Sequence, residues 1–124
     1  MEHEDDKEKE SVTNVGNHIY FYTDVNEDSA LQIIKIIRKL TSEILVKKAL
    51  NYSDDLYNDL EDTDTRVTTS PIYLHINSNG GNYFDGMAIV DTIRFNKVDI
   101  YTIAEGAVAS MASIIFLAGK KKIY

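Results

Sequence analysis

Ile72-Tyr73-Leu74-His75-Ile76-Asn77-Ser78-Asn79-Gly80-Gly81 opens as a β-strand and closes on paired glycines. Its β-branched and aromatic residues predict a strand over 71–76, and residues 77–81 carry the turn that ends it. Downstream, the spacing of Met87, Ile89, Val90 and Ile93 predicts a helix over 83–95. A further strand is expected over 99–104, ending in a turn at Glu105-Gly106. A third helix starts near Ser110 and runs through Met111, Ile114, Ile115 and Leu117. Gly119 closes it at a C′ position, where Lys120, Lys121 and Lys122 suit the negative end of the helix dipole. Upstream, His18-Ile19-Tyr20-Phe21-Tyr22-Thr23 reads as the first strand. N-cap candidates at 26–29 follow it, then a helix of roughly twenty residues. Ala30, Ile33, Ile34, Ile37, Leu40 and Ile44 form its apolar stripe, and Lys35, Arg38 and Lys39 a solvated basic face. Strands alternating with helices predict one α/β domain built on crossover connections.

Two segments stand outside that alternation. Residues 1–16 are polar and charged and are expected to be a disordered acidic tail, leaving 17–124 as the domain. Residues 51–70 lack periodicity and read as an acidic insertion between the first helix and the next strand. The formal net charge of −7 is concentrated there: residues 1–10 carry −4 and residues 51–66 carry −5, leaving +2 elsewhere. Neither segment supplies the basic field that a nucleic-acid partner needs. The absence of cysteine excludes disulfides, thiolate metal sites and a cysteine nucleophile, and no metal or other cofactor is expected. No apolar run approaches the ~20 residues of a membrane span, and MEHEDDKEKE lacks the pattern of a secretory signal. A cytoplasmic protein with no membrane partner is expected.

Two strand-to-helix junctions carry the chemistry. At Asn79-Gly80-Gly81, paired glycines permit positive φ and let a ligand approach bare backbone N–H groups. At Gly106-Ala107-Val108-Ala109-Ser110-Met111-Ala112-Ser113, small residues flank a serine at the head of an apolar helix. A hydroxyl there sits near the positive end of the helix dipole, with the following amide as a donor for an oxyanion. Each junction alone has a plainer reading: a tight turn in the first case, an N-cap serine with Ser113 facing the core in the second.

Together they resemble ClpP, the proteolytic subunit of ATP-dependent Clp protease. The likeness runs through residues 72–81, through Gly86-Met87-Ala88-Ile89-Val90-Asp91-Thr92-Ile93, through 106–113 and through Ala118-Gly119-Lys120, and is nearest to phage-encoded ClpP-like proteins. Residues 18–50 agree only in pattern. The resemblance implies a ClpP/crotonase-like ββα spiral, incomplete at the C-terminus. It implies a serine endopeptidase acting by acyl transfer, with Ser110 as nucleophile and the amides of Gly81 and Met111 as oxyanion hole. The family's glycine loop leads into an extended segment that pairs with substrate, which makes Gly80, Asn82 and Tyr83 candidate substrate contacts. Polypeptide substrates, homo-oligomeric rings and an AAA+ unfoldase are the implied partners, and a host cytoplasm is the implied location if the chain is phage-encoded.

Departures from the family are also legible. Asn79 replaces the usual proline, Val108 stands at a small-residue position where it is expected to crowd the helix start, and the two acidic segments are unusual. The family's histidine and aspartate follow the serine at distances this sequence does not reach, so the chain reads as a fragment without its triad. His3, His18 and His75 are expected to be structural or solvated. Three alternatives stay open: a phage head-maturation protease, a truncated non-catalytic subunit, and a crotonase-type acyl-CoA enzyme that does not need a serine at position 110.

Overall fold

The computed structural model describes residues 11–58 and 69–124. They run β1 (Val12–Val15), β2 (His18–Phe21), α1 (Glu27–Asn58), β3 (Ile72–Ser78), α2 (Tyr83–Phe95), β4 (Ile100–Val108), α3 (Met111–Leu117) and β5 (Lys122–Ile123). Strict alternation makes β3 the centre of the sheet. Ile72, Leu74, Ile76 and Ser78 are buried, and the residues between them lie half-buried on the opposite face. Strand order follows the chain, β1-β2-β3-β4-β5, with β1 antiparallel to β2 and every later pair parallel. Each parallel step moves one strand in the same direction, so right-handed crossovers lay α1, α2 and α3 on one face. Ile33 and Ile37 of α1, Ile89 of α2 and Ile115 of α3 fill the layer beneath Ile19, Phe21, Leu74 and Ile100, all within 1% of full burial. The mixed α/β architecture expected from the sequence is present.

Four local readings change. Residues 12–15 belong to a strand rather than a tail, because Val12 is buried beneath the sheet and donates its N–H to Gln32 Oε1 at 2.9 Å. Gly16, at φ 55, opens the two-residue turn between Val15 and His18, which are paired. Residues 1–10 lie outside the described residues. The first helix is 32 residues long, so residues 51–58 of the expected insertion are helical. That segment holds no Gly or Pro, and helical hydrogen bonds form locally whether or not an apolar stripe continues. Residues 59–68 lie outside the described residues. Asn26 caps α1: its Oδ1 accepts from Ser29 N at 2.9 Å while Ser29 Oγ accepts from Asn26 N at 3.0 Å. The third change is Glu105-Gly106, which continues β4 instead of turning.

Gly119 is the fourth. It follows the C-cap Ala118 as expected, yet its φ lies outside the left-handed region. Contact, not backbone angle, requires glycine there, because a Cβ would lie 2.2 Å from Thr102 Oγ1. Thr102 is fully buried, and its hydroxyl donates to Phe116 O at 2.7 Å. Gly119→Ala is therefore expected to cost about 1–3 kcal/mol by overpacking, read from equilibrium chemical denaturation. A change below about 0.5 kcal/mol would refute this account.

Candidate active site

The glycine loop is held by the segment that leaves β2. Val25 N donates to Gly80 O at 2.9 Å and Asn82 N donates to Val25 O at 2.8 Å, an isolated parallel bridge centred on Gly81. Both bonds belong to the neighbours of Gly81, so the Gly81 N–H points away from Val25. Gly80 sits at φ 100 and Gly81 at φ 152. The loop also presses against the other junction. A Cβ on Gly80 would lie 2.8 Å from Ser110 Cβ and 3.0 Å from Met111 N. Gly80 N donates to Ser78 Oγ at 3.1 Å, which fixes the start of the turn.

Ser110 is the one non-glycine residue with positive φ among the described residues, at φ 54 and ψ −128. It stands at the N-cap of α3 as expected, but it is exposed and its hydroxyl makes no capping bond. Strain of this kind, about 1–3 kcal/mol, persists where neighbouring structure imposes it. Here the restraints are visible. Ala109 N donates to Ser78 O at 3.1 Å, Ala107 N to Asn77 Oδ1 at 3.0 Å, and Ser113 N to Ser110 O at 2.9 Å. Ser113 is half-buried, with its hydroxyl donating to Val108 O at 3.2 Å. Val108 ends β4, opposite Ser78, and packs half-buried against the core. Met111 is the first residue of α3, so its N–H has no partner four residues back. Strand, strained serine and helix together present a hydroxyl beside open backbone donors.

The remaining candidates divide. Asn82 is the N-cap of α2, with Oδ1 accepting from Asp85 N at 2.9 Å. Tyr83 begins α2 and is exposed, as is Phe84, so extended backbone after Gly81 is confined to Asn82. His18 and His75 are joined to each other and, through His75, to Glu105, rather than to Ser110. His3 lies outside the described residues. The sequence reading had missed this histidine pair. Alternation along β2 and β3 places both residues on one face, but only the register His18↔Tyr73 and Tyr20↔His75 brings them together. Among the described residues no group of three or more side chains is placed to hold a metal ion, and no helix is long and apolar enough to cross a membrane.

The chain is 40% identical over 99 residues to the ATP-dependent Clp protease proteolytic subunit 2 of Treponema denticola, covering 78% of this chain and 48% of that one. It is 44% identical over 71 residues to the proteolytic subunit of Streptococcus mutans, covering 57% and 36% respectively. The chain thus spans about half the length, or less, of the curated relatives it matches. Among solved structures, a ClpP1 mutant from Listeria monocytogenes superposes with a TM-score of 0.61 at 25% identity, over 84% of this chain and 47% of that one. The ClpP protease catalytic domain from Plasmodium falciparum superposes with a TM-score of 0.54 at 32% identity, over 82% and 43%. With residues 26–123, from the cap of α1 to the end of β5, also matching the Clp protease family model, the chain belongs to the Clp protease family.

Proposed function

We propose that the chain carries the nucleophile and oxyanion hole of a serine-type endopeptidase, within the ββα spiral arrangement of the ClpP/crotonase fold. The observation that carries this reading is Ser110: strained, exposed, with a hydroxyl that makes no capping bond, and packed beside Gly80 at the first amide of α3. Ser110 Oγ attacks a peptide carbonyl carbon, and the amides of Gly81 and Met111 receive the oxyanion. The base that takes the Ser110 proton comes from outside the described residues. Gly80 is buried with its N–H and C=O both bonded, so it shapes the loop, while exposed Asn82 and Tyr83 flank the approach and Tyr83 offers its ring to a substrate side chain. Polypeptides are the substrates, an oligomeric ring the working form, and an ATP-driven unfoldase the partner that delivers them.

Treating the protein produced from its native gene with a fluorophosphonate tests this directly. One adduct per chain, mapped to the peptide containing Ser110, is expected. A protein that stays unlabelled while fully folded would instead be a non-catalytic subunit of this fold.

A further inference from the structure

On the face of the sheet turned away from the helices, four side chains are bonded in series. Tyr22 OH donates to Glu105 Oε2, Glu105 Oε1 pairs with His75 Nδ1, and His75 Nε2 lies 2.8 Å from His18 Nδ1. Tyr73 stacks on His18 with ring centroids 4.5 Å apart, and Tyr20 stacks on His75 at 4.6 Å, so both imidazoles are held in place. The His75 side chain is 11% exposed and that of Glu105 32%. The titratable groups facing the pair are Tyr20 from β2, Tyr22 just beyond it, Tyr73 from β3, and Tyr101 and Glu105 from β4. Lys121, just before β5, lies 5.3 Å from the Tyr101 ring centroid. β1 offers only Thr13 and Val15 to this face, opposite Tyr20 and His18.

We infer that the His18–His75 pair is a proton-operated latch between β2 and β3, and that opening it loosens the Gly80-Gly81 loop through Val25. The protons dictate the logic. A carboxylate at Glu105 accepts from His75 Nδ1–H, which leaves His75 Nε2 as an acceptor for His18 Nδ1–H. One added proton is shared across the 2.8 Å bond with every partner retained. A second sets two N–H groups and two cations against each other, and the pair must part. β2 then loses its side-chain tie to β3, and the segment leaving β2 supplies Val25, four residues beyond Phe21, whose N–H and C=O hold the glycine loop.

Burial first, and then the charge of neighbouring His18, hold the His75 imidazole below its usual value of 6.5. The closed latch therefore binds fewer protons than the open one. Its stabilisation is present above about pH 6.5 and is lost as pH falls through the lowered value.

The inference rests on the proposed function only for what the loosened loop would do; the latch itself is read without any reaction. Amide hydrogen exchange of the full chain, corrected for intrinsic rates, is followed at Val25 and Asn82 between pH 7 and pH 5, with histidine side-chain NMR alongside. Protection at both amides is expected to fall by about tenfold as His75 titrates. His18→Gln keeps a hydrogen-bonding partner for His75 Nε2 but never becomes a cation. In it the His75 midpoint should rise, and protection should change by less than about twofold. An equal loss in His18→Gln, a flat profile in the unaltered protein, or a parallel loss at Ile89 and Ile115 in the core would each overturn the latch. Failure of Ser110 to label, with the pH-dependent exchange intact, would overturn the peptidase reading and leave the latch standing.

Discussion

Gly81→Ala is expected to destabilise the chain by about 2–5 kcal/mol and to abolish labelling at Ser110. A Cβ at this position would lie 2.1 Å from Val25 O, 2.9 Å from Val25 C and 3.0 Å from Val25 N. All three are backbone atoms, and they belong to a segment pinned by the Val25 N–Gly80 O and Asn82 N–Val25 O bonds. No rotamer change relieves such a clash, so the bridge must break, and the amide proposed to hold the oxyanion moves with it. Positive φ contributes as well, and Gly16→Ala separates the two terms. Gly16 sits at φ 55 with nothing within 4 Å of an added Cβ, so it should lose only about 1–2 kcal/mol. Equilibrium denaturation of both variants decides the matter: similar losses would show that backbone angle, and not the Val25 contact, makes glycine necessary at 81.

Ser110→Ala has the opposite profile, with a large chemical effect and almost none on stability. The hydroxyl makes no capping bond, so unfolding free energy should move by less than about 0.5 kcal/mol. Fluorophosphonate labelling should vanish, and, under the proposed function, peptide hydrolysis should drop by about 10⁴-fold or more. Ser110→Gly sharpens the test. Glycine adopts φ 54 without the penalty a side chain incurs, so this variant should be more stable than the parent by about 1 kcal/mol while equally inactive. A Ser110→Ala protein that retained hydrolysis would move the chemistry to another residue or toward an acyl-CoA enzyme of the same broad fold. A Ser110→Gly protein less stable than the parent would remove strain as a feature of the site.

Legibility in the sequence followed the range of the interactions involved. Alternation along Ile72–Ser78 and helical spacing along Tyr83–Phe95 depend on near neighbours in the chain, and both elements lie where the pattern places them, at most two residues adrift. The glycine and serine junctions were readable too, because paired glycines and a small-residue helix start are local requirements of close backbone approach. Shorter signals were outweighed by composition. Val12–Val15 looked like the end of a charged tail, although Gly16-Asn17 between two β-rich runs is itself a hairpin signal. The acidity of residues 51–58 masked the continuation of α1, since charge says little about local helical hydrogen bonding.

By itself, then, the sequence determined the α/β alternation, the two strand-to-helix turns and Ser110 as the residue to watch. Tertiary structure alone decided that Gly119 answers to Thr102, that Gly81 answers to Val25, and that His18, His75, Glu105 and Tyr22 form one series. Those pairings join residues 17 to 83 positions apart in the chain. They exist only once strand register is set, and register is a property of the assembled sheet that no single segment encodes.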